Sequence, residues 1–290
     1  MRTEQEMSTK EPIRILFGIV TYNHRRFIAQ CLDSIQASCE LHSMKVVLVD
    51  NCSSDGSAEL VRDQYPWVEL IRQTRSYSFA ANNNVAFAHA QSEYFLMLNP
   101  DTVLDAGAVD TVVKFMDEHR DCGLCGPKLV FPDGSLQYSC RRFPTVWSTL
   151  LRRTPFRVLM PTELRGVRHL MASVSHEKEM VVDWMLGACL LVRRDAIVGN
   201  GLLDEGFPLY CEEIDLCLRL KQGGWKSYYV PNAKVVHHHL AKSDSSLFCH
   251  ASMLHFMSMM HFIKKHYFSL DRGAGRFSGV NKYQPGGLGT

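Results

Sequence analysis

Through the first hundred residues, short unbroken apolar runs alternate with stretches whose apolar residues recur at helical spacing. The runs at 13–20, 46–49, 68–72 and 94–98 predict strands. Val46-Val47-Leu48-Val49 has no polar alternation, as expected of a strand covered on both faces. Between the runs, Phe27, Ile28, Cys31, Leu32 and Ile35 predict a helix over 27–38. Further helices are expected from Ser57 to about Tyr65 and over 79–90. Strands alternating with helices imply an α/β fold: a mostly parallel, Rossmann-like sheet with helices on both faces.

The second half is less regular. Pro132-Asp133-Gly134-Ser135 predicts a hairpin between 128–131 and 136–138. Residues 181–192 read as a strand with a break at Gly187. A helix is expected over 212–222, closed by Gly223-Gly224. A strand over 225–230 should stop at Pro231, with Val235-Val236 leading into His237-His238-His239. Residues 247–268, rich in Met and aromatics, predict a last helix. The expected organisation is a disordered start (1–12), one domain (13–243), a C-terminal helix (244–270) and a flexible glycine-rich tail (271–290).

Length and composition narrow this further. At 290 residues and 46% hydrophobic content, the chain can bury one large core and a small appendage. A net charge of +2 provides no strong field for nucleic acid. The charge is uneven, however. Arg141, Arg142, Arg152, Arg153, Arg157, Arg165 and Arg168 share a stretch in which Glu163 is the only acid, a patch suited to phosphates or to a peripheral membrane contact. The polar start lacks the apolar core of a secretory leader, and the ten cysteines lie mostly in apolar runs. Both fit a reducing cytoplasmic location, peripheral at most to a membrane. Cys122 and Cys125 form a lone CxxC, a weak signal for zinc or redox chemistry. No segment reaches the ~18 apolar residues of a membrane span.

Candidate chemistry gathers where strands end. Thr21-Tyr22-Asn23, Asp50-Asn51 and Asp101 all lie at or just past expected strand ends, where open α/β sheets bind ligands. Asp50 and Asn51 offer a carboxylate and an amide to a pyrimidine edge or a ribose; equally, the aspartate could cap the next turn. Asp101 suits a hard cation, or ends its strand in an Asn-Pro-Asp turn. Glu212, Glu213 and Asp215 open a helix. Acids there complement the helix dipole, and Asp215 can pair with Arg219 one turn on. Three acids in four positions exceed what capping needs, which leaves one to act as general base. His237 could complete a metal shell or belong to a hydrogen-bonded histidine cluster. The Met-rich final helix fits core packing, a homodimer contact or an interfacial helix.

Taken in order, these blocks resemble the family-2 glycosyltransferases of the GT-A fold, in particular the rhamnosyltransferase-like branch that builds surface polysaccharides. The resemblance covers about 13–243 and rests on Val20-Thr-Tyr-Asn23, Val49-Asp-Asn-Cys-Ser-Ser-Asp-Gly-Ser57, Phe79-Ala-Ala-Asn-Asn83, Leu98-Asn-Pro-Asp101, Trp184-x-x-Gly187-Ala188, Tyr210-x-Glu-Glu-x-Asp215 with Arg219, and Pro231 to His237. It implies that Thr21, Tyr22, Asn23, Asp50, Asn51 and Asn83 bind the nucleotide. Asp101 and His237 would hold Mg2+ or Mn2+ on a diphosphate, and Glu213 would act as the base of an inverting transfer. Trp184, Gly187, Ala188, Glu212 and Asp215 would shape the substrate pocket. The implied donor is a dTDP- or UDP-sugar, with rhamnose one candidate, and the implied acceptor a glycan or a lipid-linked sugar. The chain departs from the family at Glu213, where Asp is usual, and at Ser76, Ser78 and Ala86, where Asn, Gly and Gly are usual. A non-catalytic nucleotide-sugar-binding scaffold and a glycoside hydrolase are the competing readings. A dinucleotide oxidoreductase is disfavoured, because no G-x-G-x-x-G follows the first strand.

Overall fold

A computed structural model describes residues 12–144, 171–198, 201–238 and 250–268. The first half follows the expected alternation: β1 (Ile15–Thr21), α1 (Arg25–Ser38), β2 (Met44–Asp50), α2 (Ser57–Gln64), β3 (Glu69–Arg72), α3 (Phe79–Ala88) and β4 (Tyr94–Leu98). Then come β5 (Thr102–Leu104), α4 (Ala108–Glu118), β6 (Cys122–Val130), β7 (Cys140–Arg141), β8 (Met180–Val182), β9 (Trp184–Met185), β10 (Cys189–Arg193) and α5 (Arg194–Val198). The described chain ends with α6 (Glu212–Gln222), β11 (Lys226–His237) and α7 (His250–Ile263), which continues as a π-helical turn over Lys264–Phe268.

The main sheet has the order β3-β2-β1-β4-β10-β6-β11-β5, with β8 also paired to β11. Strands β1 to β4 are mutually parallel, as are β6 and β11. β10 is antiparallel to both neighbours, and β5 and β8 are antiparallel to β11. Because β10 runs backwards, its first residue, Cys189, lies opposite the last residue of β4, Leu98. The start of β10 therefore joins the rim formed by the ends of β1, β2 and β4.

The unbroken apolar strands are explained by cover on both faces. Ile15, Phe17, Ile19, Val46 and Leu48 pack with Ile28, Leu32 and Ile35 of α1 and with Val112, Val113 and Met116 of α4. Leu16, Val47 and Val49 point the other way, into a cluster with Ala86 of α3, Ile214, Cys217 and Leu220 of α6, and Phe262 of α7. Gly18 allows the second layer to close on the sheet: a β-carbon there would overlap the Phe95 ring and press on Ala86.

Several expected boundaries change. β11 does not stop at Pro231 but runs on to His237; its pairing with β6 breaks register between Val230 and Lys234, which accommodates the proline. The stretch 181–192 is three short strands, and β9 leaves the main sheet to pair with β7. The expected hairpin is a tight turn, with Gly134 at φ 82°, closed by Phe131 N–H donating to Ser135 O at 2.9 Å. Only an isolated bridge, Val130 to Leu136, extends it. α7 is no appendage: Phe262 is fully buried in the second core cluster. Nearly all of 1–12, all of 271–290, His239 and the arginines from Arg152 to Arg168 lie outside the described residues.

Candidate active site

Thr21 and Asp50 are register partners at the ends of β1 and β2. Both side chains are buried, and Thr21 Oγ1 and Asp50 Oδ1 have no hydrogen-bond partner. The other Asp50 oxygen accepts from Ser53 N–H at 3.2 Å. Unpaired buried acceptors cost free energy, so a ligand with a matching donor is the natural complement. The loops around them are tied together. Asn23 (φ 57°) accepts at Oδ1 from Ser54 N–H at 2.8 Å, and its own N–H donates to Ser53 Oγ. Asn51 clamps Tyr77, accepting from its N–H at 2.8 Å and donating to its carbonyl at 3.0 Å. Tyr22 stands half exposed beside this cradle. Asn83 is buried in α3 and donates to Phe79 O at 3.0 Å, so its amide is engaged by its own helix. Of the expected nucleotide residues, then, Thr21 and Asp50 present acceptors, while Asn23, Asn51 and Asn83 hold the loops and helix in shape.

Asp101 and His237, 136 positions apart in sequence, are brought together by β5 and β11. Thr102 pairs with His237, and His238 N–H donates to Asp101 O at 3.0 Å. His237 Nε2 lies 3.5 Å from Asp101 Oδ1, and both side chains are buried. Nδ1 of His237 meets Gln137 Oε1 at 2.8 Å. As a carbonyl oxygen, Oε1 can only accept, so Nδ1 carries the proton and the Nε2 lone pair faces Asp101 whenever the ring is neutral. Burial pushes the Asp101 carboxyl up, but the hydrogen bond and charge attraction from His237, with His24 adding, leave it below the usual range. An ionised carboxylate beside an imidazole lone pair fits Mg2+ or Mn2+ as two protein ligands, with further oxygens needed from elsewhere. Among the described residues, no group of three or more His, Cys, Asp or Glu is placed to hold a metal alone. That includes Cys122 and Cys125, both buried in β6, where burial raises the Cys125 thiol. Sequence reading missed Gln137; its signal was weak, a lone amide just after a turn.

The acids of α6 divide their roles. Tyr210 (φ 65°) and Cys211 (φ 73°) turn the chain through two consecutive left-handed residues just before Glu212. Non-glycine residues pay about 1–2 kcal/mol each for that conformation, a strain typical of functional turns. Glu212 is buried, with Oε1 unpartnered. Glu213 lies against Gly187, where an added β-carbon would be 4.0 Å from Glu213 Cβ and Cδ. Burial raises both carboxyls; repulsion from Glu213 adds to the rise at Glu212, and Arg141 partly offsets the rise at Glu213. Asp215 was expected at the substrate but is engaged elsewhere. Oδ2 accepts from Arg219 Nε at 2.7 Å, and Oδ1 meets Lys265 Nζ and His266 Nε2, each at 2.7 Å. The reason is long-range: two of its three partners come from the segment after α7, invisible to a local helical reading.

One loop links the cation residues to the acids. Asn99 N–H, in the Asn-Pro-Asp turn, donates to Ala188 O at 2.8 Å, and Gly187 next to it lies against Glu213. Trp184 anchors the strand leading into this loop, being buried and donating from Nε1 to Arg142 O at 3.0 Å. Asp50, Asp101 and Glu213 thus border one rim rather than separate pockets.

Comparison with known proteins agrees with this arrangement. The model of the family described as Glycosyl transferase family 2 matches residues 17–174. The N-acetylglucosaminyl-diphospho-decaprenol L-rhamnosyltransferase of Mycobacterium tuberculosis is 31% identical over 232 residues, 76% of this chain and 74% of that protein. Rhamnosyltransferase WbbL of Escherichia coli is 29% identical over 276 residues, 90% of this chain and 97% of that protein. Among solved structures, GalNAc-T7 with UDP, GalNAc and Mn2+ superposes with a TM-score of 0.58 at 16% identity, over 79% of this chain and 44% of that longer one. The mannosyltransferase PcManGT of Pyrobaculum calidifontis, with GDP-Man and Mn2+, gives a TM-score of 0.54 at 17% identity, over 87% of this chain and 71% of that one. At those identities the structural likeness speaks for the fold, a GT-A architecture.

Proposed function

The chain belongs to glycosyl transferase family 2, and from that premise we propose that it is an inverting, metal-dependent rhamnosyltransferase that moves the sugar from a dTDP- or UDP-linked donor to a hydroxyl of a lipid-linked N-acetylglucosaminyl diphosphate. The observation that carries the reading is the shared rim of Asp50, Asp101 and Glu213, joined through the loop at Gly187 and Ala188. Sugar and acceptor are taken from the mycobacterial and enterobacterial relatives. Membership of the family removes the glycoside hydrolase reading.

Asp50 Oδ1 accepts the imide N–H of a pyrimidine base, supplying the partner that this buried oxygen lacks. Thr21 Oγ1 beside it takes a second donor from the nucleoside. Asp101 and His237 Nε2 hold Mg2+ or Mn2+ against the diphosphate; when bound, the cation offsets charge on the leaving group. Glu213 accepts the proton of the acceptor hydroxyl, which attacks the anomeric carbon directly. No protein nucleophile is needed, so the configuration inverts. Trp184, Gly187 and Ala188 wall the sugar pocket, and Glu212 faces it with its unpartnered oxygen. Nucleotide sugars are charged and do not cross membranes, so the reaction belongs in the cytoplasm.

The test is Glu213→Gln. With donor and lipid-linked acceptor supplied, nucleoside diphosphate release should fall at least about a hundredfold, the scale of lost general-base catalysis. Calorimetric nucleotide affinity should stay within about twofold. Undiminished turnover by the variant would remove Glu213 from the base role.

A further inference from the structure

The C-terminal helix is built inside out. Its inward face is polar: Ser258 Oγ donates to Leu209 O at 2.7 Å and accepts from Leu209 N–H. Lys265 Nζ reaches Asp204 and Asp215, and His266 reaches Asp215. Its outward face is apolar. Met253, Phe256, Met257, Met260 and Tyr267 are 40–55% exposed, and at 100° per residue they fall on one stripe. Exposed Lys264 lies on the same stripe near its C-terminal end. A contiguous apolar stripe on a soluble surface marks an interaction site, because single scattered apolar residues would not align.

Charge selects the occupant. Residues 245–268 contain no Asp or Glu, but carry Lys264, Lys265 and four histidines. A second copy of this face would bring Lys264 no acid to pair with. An anionic bilayer supplies phosphates for Lys264 at headgroup level and acyl chains for the Met and Phe side chains. We infer that the outward face of α7 docks the protein on an anionic phospholipid surface. The helix would lie in the interface plane with its 14 residues spanning about 21 Å. α7 also holds α6, so docking would set the site of Glu213 at a fixed height over the membrane. The inference goes beyond the proposed reaction, since vesicle binding requires neither donor nor acceptor.

The experiment is co-sedimentation of the full chain with vesicles of phosphatidylcholine alone or mixed with phosphatidylglycerol, with light scattering for the mass in solution. Expected is a monomer that sediments with the anionic vesicles and is released by salt. Phe256→Asp combined with Met257→Asp should weaken that binding at least about tenfold, because each apolar side chain contributes about 1.5–3 kcal/mol when buried. An unchanged melting temperature and nucleotide affinity would show the variant to be folded. A wild-type dimer that the double variant dissociates, without vesicle binding, would assign the face to a second copy and overturn the inference. Vesicle binding untouched by the double variant, or no vesicle binding by a monomer, would overturn it as well.

Discussion

Glu213 has two properties that oppose each other: it must be ionised to accept a proton, and its burial disfavours the charge. Rate on the acid side should therefore fall away above the ordinary glutamate range. Arg141 lowers the Glu213 carboxyl, so Arg141→Met should move the acid limb of the pH–rate profile to higher pH. An unmoved limb would mean that another group titrates. The same burial has a thermodynamic sign. With its folded-state pKa raised, Glu213 holds a proton in the folded chain that the unfolded chain has already released, so stability falls as pH rises through that window. Glu213→Gln should therefore melt higher than wild type at neutral pH, with the gain shrinking as pH drops below the ordinary glutamate value. A neutral-pH melting point at or below wild type would contradict this. Residue reading of the sequence located the acids of α6 but could not assign them. Glu213 and Asp215 flank the same apolar helix face, and only the distant Lys265 and His266 decide which one is taken for structure.

At the scale of elements, α6 and α7 are locked through Asp215, which is completely buried among Arg219, Lys265 and His266. Burial alone would raise its carboxyl; the hydrogen bond from His266 and the charges of Arg219 and Lys265 hold it far below the usual range. Its contribution is therefore present above the unfolded pKa and lost as pH falls through the lowered folded value. Asp215→Ala leaves buried cations uncompensated and should cost about 3–5 kcal/mol, lowering the melting temperature by several degrees. A drop of only a degree or so would mean that the lock is not what holds the two helices. The elements of the first half were legible because parallel strands buried on both faces leave unbroken apolar runs. β11 was not, because Pro231 is a stop signal unless the partner strand shifts register around it, and that shift lies in the pairing with β6.

Over the whole molecule, the same contacts make the C-terminal segment part of the domain. Phe262 enters the core cluster that also contains Val47, Val49 and Ile214, so removing α7 opens the sheet's second layer. The cation-binding half has a different dependence: Asp101 and His237 are joined by β5 and β11. Sequence order separates these halves, and the reading of 244–270 as an extension followed from its position after the last strand. Its burial depends on partners in 201–216 that no local pattern reveals. Deleting residues 250–290 should thus destabilise more than Asp215→Ala does, since it removes both the ion pairs and the Phe262 contact, itself worth roughly 3 kcal/mol or more in a large-to-small change. Thermal melts of the two variants side by side would measure this. The deletion should lose additional degrees and expose apolar surface to a dye such as ANS. A shortened chain melting with wild type would return α7 to the status of an appendage, and with it would go the argument that a helix seated on a membrane also seats the base.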